Sequence, residues 1–95
     1  MNINSYTVEQ IKDPTGILSG LRYEFFLSLE VDEEDELYSE AGISLRVLYY
    51  RDEQNSRILN YHFQTGTGEI LDFALEEDEE SEILQFCSEH AASAE

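Results

Sequence analysis

Cys87 and His90 stand three residues apart in a stretch of helical periodicity, which puts a thiol and an imidazole on one helix face. That is half of a zinc site, and structural zinc wants four good ligands. The chain holds one cysteine and two histidines, so His62 is the only other candidate of that kind. Cys87 as a small core hydrophobe and His90 at a helix edge is the better reading. As a nucleophile pair the two would lack an orienting group and an oxyanion hole, and neighbouring glutamates would raise the thiol pKa. Two acid clusters come next, Asp32-Glu33-Glu34-Asp35-Glu36 and Glu76-Glu77-Asp78-Glu79-Glu80. Neither has the alternating ligands, the glycine and the terminal glutamate of a helix–loop–helix calcium loop, so both read as solvated charge. Paired carboxylates can do acid–base chemistry. With 22 acids in 95 residues, however, a close pair carries little information. Gly66-Thr67-Gly68 lacks the Lys-Ser/Thr of a phosphate loop and opens no helix, so it reads as a hairpin turn. No catalytic residue, metal site or cofactor is expected.

What remains is a surface. The chain alternates strongly from Leu21 to Val31, with Leu21, Tyr23, Phe25, Leu27, Leu29 and Val31 on one side. Ile43, Leu45, Val47 and Tyr49 repeat the pattern, as do Leu59, Tyr61 and Phe63. The polar stretch Asp52-Glu53-Gln54-Asn55-Ser56 joins these last two runs as an antiparallel hairpin. Tyr6 and Val8 mark an N-terminal strand whose parity Ile11 breaks, which suggests a bulge or strand end near Gln10. Asp13-Pro14-Thr15-Gly16 reads as a turn. The acid-rich stretch from Glu30 to Glu40 reads as a solvated connector with one helical turn. Leu71, Phe73 and Leu75 suggest a short fifth strand. From about Glu77 the period becomes helical through Ile83, Leu84, Phe86, Cys87, His90 and Ala91, with Asp78 as the expected N-cap. The expected fold is α+β, a four- to five-stranded antiparallel sheet with one C-terminal helix packed on one face.

The opposite, even-numbered face should then carry Arg22, Phe26, Arg46, Leu48, Tyr50 and His62, with Ile58 beside them. All five basic residues lie between Lys12 and Arg57, whereas residues 69–95 hold no Lys or Arg. A mixed aromatic, aliphatic and arginine surface suits a protein interface.

The balance of charge narrows the partners. Five basic against 22 acidic residues give a net charge of −17, which repels phosphate backbones and anionic membranes. A hydrophobic share of 41% and an aromatic share of 12% argue against disorder. The length points to a single domain spanning residues 1–95. Met1-Asn2-Ile3-Asn4 begins no secretory signal, and no apolar run spans a membrane. One cysteine excludes an internal disulfide, so a cytoplasmic location is expected.

Tyr6-Thr7-Val8-Glu9, Ile11-Lys12-Asp13-Pro14, Gly16-Ile17-Leu18, Arg22-Tyr23-Glu24-Phe25, Asp35-Glu36-Leu37-Tyr38-Ser39-Glu40 and Leu71-Asp72-Phe73-Ala74-Leu75-Glu76 resemble a family of small acidic proteins of Bacillus and its relatives, a domain of unknown function. The resemblance is weakest from Val47 to Thr67. It implies a bacterial cytoplasmic protein with no assigned activity. The label "pullulanase" given to some members would need a catalytic barrel of about 250 residues, far longer than this chain.

The functional expectation is a non-enzymatic acidic interaction protein that binds a basic protein partner or itself as a homodimer. A sharper version mimics nucleic acid with its carboxylates. The alternative is a small carboxylate- or metal-dependent hydrolase, which would show acids converging in one pocket.

Overall fold

The computed structural model describes residues 2–12, 20–35, 38 and 40–91. Five strands and one helix follow in chain order: β1 (Asn2–Ile11), β2 (Leu21–Glu30), β3 (Ile43–Arg51), β4 (Ser56–Thr65), β5 (Ile70–Leu71) and α1 (Glu77–His90). The strands form one antiparallel sheet in sequence order. This is the expected α+β architecture. The expected turn at 13–16 lies outside the described residues, as do parts of the acidic connector. Within that connector, Asp35 donates its backbone N–H to Asp32 and Tyr38 to Asp35, each at 3.0 Å.

Alternation in β2 and β3 does what period two requires. Tyr23, Phe25, Leu27, Leu45 and Val47 are fully buried on one side, and the residues between them are not. Phe63 joins them from β4, and Tyr6 and Val8 pack against them from β1. Ile83, Cys87 and Ala91 close this face from the helix side. The helix crosses the strands. Just ahead of it, the Leu75 N–H donates to the Tyr61 hydroxyl of β4 at 2.9 Å. Near its end, Phe86 and His90 meet the Tyr6 ring of β1 edge-on at 5.2 and 5.0 Å. Fourteen residues at about 1.5 Å each give about 21 Å, enough to bridge four strands about 4.8 Å apart.

Four local expectations are corrected. The pairing of β1 with β2 runs unbroken from Ser5 to Ile11, where the strand ends, so near Gln10 the strand end holds and the bulge does not; the shift falls between Ile3 and Ser5. Ile11 therefore belongs to the uncovered face, opposite Arg22, and is exposed. In β4 a bulge at Leu59 makes Ile58 the partner of Tyr49, so Ile58 packs on the core side and Arg57 takes its place opposite Tyr50. The fifth strand stops at Leu71; Phe73 is exposed and Leu75 is buried under the helix. The helix is capped by Glu76 rather than Asp78. Glu76 accepts from the N3 backbone N–H, and Glu79 accepts from the Glu76 N–H at 3.0 Å. The reciprocal arrangement satisfies two of the unpaired N–H groups at the helix start. The turn 66–68 joins β4 to β5 as expected, with the Gly68 N–H donating to the Thr65 carbonyl at 2.9 Å.

Candidate functional site

The uncovered face is ruled into rows by the strand register. Thr7, Phe26, Arg46 and His62 form one row across β1 to β4, and Glu9, Glu24, Leu48 and Asn60 form the next. Ile11, Arg22, Tyr50 and Arg57 form a third. All six positions expected here, Arg22, Phe26, Arg46, Leu48, Tyr50 and His62, lie on this one face.

Two arrangements on it were not expected. Arg46 reaches diagonally to Glu24, with Nη2 to Oε1 at 2.6 Å. Both side chains stay partly exposed, at 45% and 34%, so the pair is worth at most about 1 kcal/mol to stability. Its role is to leave the centre of the face neutral. The second arrangement corrects the expectation that Tyr50 is exposed. Arg22 and Arg57 lie over its ring, with guanidinium carbons 5.1 and 5.3 Å from the centroid. The ring edge lies against Gly20, and Tyr50 keeps only 9% of its surface. Arginine stems and guanidinium planes shield an aromatic ring well because their weakly hydrated faces stack on it. Arg57 was missed as a member of this face, and Glu24, which parity places here, was not counted among its interface residues. The Leu59 bulge hides the first, and only a known register reveals the diagonal that picks out the second.

The hydroxyl of Tyr50 donates to Asp52 Oδ2 at 2.9 Å. Asp52 Oδ1 accepts the backbone N–H groups of Gln54 and Asn55 at 2.8 and 2.7 Å. These two amides, then the Tyr50 hydroxyl and the charge of Arg57, hold the Asp52 carboxyl below its ordinary value. Asp52 borders a hollow of about 620 Å³ with Gly20, Leu21, Arg51, Glu53 and Gln54. A carboxylate engaged on both oxygens and kept ionised serves as a turn cap and is poorly placed to accept or release protons. A smaller hollow of about 210 Å³ sits on the uncovered face over Leu48, between Ile11, Arg46, Asn60 and His62.

The sheet separates Cys87 and His90 from His62. Cys87 is fully buried on the covered side, and burial pushes its thiol up to about 12, far from a reactive thiolate. His90 lies beside Phe86, stacked at 4.1 Å, and its Nδ1 meets the Phe86 carbonyl at 2.8 Å. A carbonyl only accepts, so Nδ1 carries the proton. His62 is on the other face, 3.1 Å from Gln64 Oε1. Among the described residues, no three His, Cys, Asp or Glu side chains converge as a metal site requires.

The molecule is thus α+β, with one helix covering one face of a five-stranded antiparallel sheet and no other described element covering the opposite face. The chain belongs to a family of unknown function, DUF6509, whose profile matches residues 1–94. No curated protein and no solved structure matches it. No helix among the described residues is long and apolar enough to cross a membrane.

Proposed function

We propose that the protein is a non-enzymatic interaction protein that binds a protein partner, or another copy of itself, through the open sheet face. The observation that carries this reading is the composition of that face. In a chain of net charge −17 it brings three arginines together with Phe26, Leu48, Ile11 and Ile70, the last two 42% and 66% exposed. Aromatic, aliphatic and arginine side chains on one flat surface supply contact area and desolvated anchors. The acidic remainder steers encounter with a basic partner and rejects nucleic acid and anionic membrane. A single buried cysteine suits work in a reducing compartment, which is the cytoplasm on this reading.

The test is affinity capture with the wild type and with a Phe26→Ser, Leu48→Ser variant. The variant should keep the wild-type circular dichroism spectrum and lose the partner that the wild type retains. Capture unchanged by the double substitution would place the binding elsewhere and overturn the proposal.

A further inference from the structure

On the open face charge comes close to balance among the described residues. Arg22, Arg46 and Arg57 lie there against Glu9, Glu24 and Glu30, with Asp52 at its edge beside Tyr50 and Arg57. Two copies of net charge −17 repel each other over most of their surfaces, and they do so least where these faces meet.

The pattern at the centre of the face is self-complementary. β2 and β3 are the middle two of the four long strands. On them Glu24 stands opposite Leu48 and Phe26 opposite Arg46, which makes a rectangle of about 4.8 by 6.7 Å. One diagonal is the ion pair Arg46–Glu24, and the other is the apolar pair Phe26 and Leu48. Turn a second copy about a two-fold axis lying along the apolar diagonal. Phe26 then meets Phe26 of the second copy, and Leu48 meets Leu48. Arg46 falls over Glu24 of the second copy, and Glu24 over its Arg46. The strands of the two sheets then cross at about 70°, closer to the orthogonal than to the aligned way in which sheets pack face to face.

Size fits a weak dimer. Four strands of nine or ten residues span roughly 19 by 30 Å at standard spacing and rise. Two such faces crossed steeply overlap over roughly 19 by 20 Å and enclose about 800 Å² together, below the roughly 1,200 Å² of a stable interface, so association belongs in the weak, concentration-dependent class.

We infer that the open face binds a second copy of this chain as a two-fold, steeply crossed dimer centred on Phe26, Leu48 and the exchanged pair Arg46–Glu24. The inference rests on the reading of this face as an interface and names its occupant. Of the two occupants that reading allows, a face close to neutral suits a second copy better than a basic partner, which gains little charge attraction there.

Charge exchange tests it. In about 0.15 M salt the wild type should sediment at twice the 11.0 kDa monomer mass at roughly 0.1 mM, where screening shortens the reach of the −17 charge to about 8 Å. Arg46→Glu and Glu24→Arg, each alone, should weaken the dimer at least tenfold, because each sets four like charges together. An equimolar mixture of the two should restore a dimer with one chain of each kind, resolved by native mass spectrometry. A second variant does not depend on reversed charge. Phe26→Cys places a thiol on the axis and should oxidise to a disulfide-linked dimer, whereas the exposed Ser5→Cys should not. A wild type that stays monomeric, a dimer indifferent to both charge reversals, or a mixture that stays monomeric would overturn the inference. If that monomer still captures a different protein in a manner abolished by Phe26→Ser, only the choice of occupant fails. If it captures nothing through this face, the interface reading fails as well.

Discussion

Phe25 and Phe26 are neighbours in sequence and sit on opposite sides of one sheet. Phe25 is fully buried, stacked near Tyr6 at 6.3 Å and edge-on to Tyr49 and Phe86 at 6.1 and 6.4 Å. Phe26 is half-buried in a row with Thr7, Arg46 and His62. The helix makes the difference. It closes one face into a dry core and leaves the other to polar rows, a diagonal ion pair and a tyrosine shielded by arginines. The same strands thus carry the fold on one side and a mixed polar and apolar surface on the other, because successive side chains alternate.

The largest expected effect comes from breaking that contrast directly. Phe25→Ala should cost about 3–5 kcal/mol, as for large-to-small changes in a packed core. Phe26→Ala should cost about 1 kcal/mol, since its ring is only half-buried. Urea unfolding at low protein concentration, followed by circular dichroism, checks both. Equal costs would mean that the two faces are equivalent parts of one core.

The contrast is less sharp around Tyr50, a nearly buried residue on the open side. Gly20 has φ +78°, and a Cβ there would lie 2.5 Å from Tyr50 Cε2. The ring cannot simply swing away, because Arg22, Arg57 and the hydrogen bond to Asp52 hold it. Gly20→Ala should therefore cost about 1–3 kcal/mol through backbone strain and overlap together. In a Tyr50→Ala background the overlap is gone and only the strain remains. A coupling of about 0.5 kcal/mol or more in the double-mutant cycle confirms the contact, and strict additivity denies it.

Much of this was legible in the sequence, unevenly. In β2 and β3 local alternation and strand pairing agree, so the buried set from Tyr23 to Leu29 and from Ile43 to Tyr49 could be read directly. In β4 they part company. Leu59, Tyr61 and Phe63 alternate, yet pairing skips Leu59, and a bulge leaves no mark in a run of apolar residues. β5 continues its alternation past the point where the chain leaves the sheet, because Leu75 gives its N–H to Tyr61 rather than to a strand. The N-cap was hidden among five consecutive acids, any of which can accept a backbone N–H. For the open face, parity alone gathered six residues. The arginine cover of Tyr50 and the Arg46–Glu24 diagonal depend on register, which long-range pairing sets.

The smallest expected effect concerns pH and the Asp52 cap that ties Tyr50 to the β3–β4 turn. Gln54 and Asn55 amides, the Tyr50 hydroxyl and Arg57 favour the ionised carboxylate in the folded state, so its folded pKa lies below the unfolded value of 3.8. The stabilisation that follows is fully present above 3.8 and is lost as pH falls below it through the folded value. Other carboxylates protonate over the same range and relieve the repulsion of a −17 chain, so the raw stability curve mixes two effects of opposite sign. The difference between the wild type and Asp52→Asn separates them, because the repulsion is nearly common to both. The wild type should be the more stable near pH 6, and the gap should close as pH falls below 3.8. A gap that stays constant to low pH would show that the Asp52 charge contributes nothing and that the turn holds Tyr50 by its backbone alone.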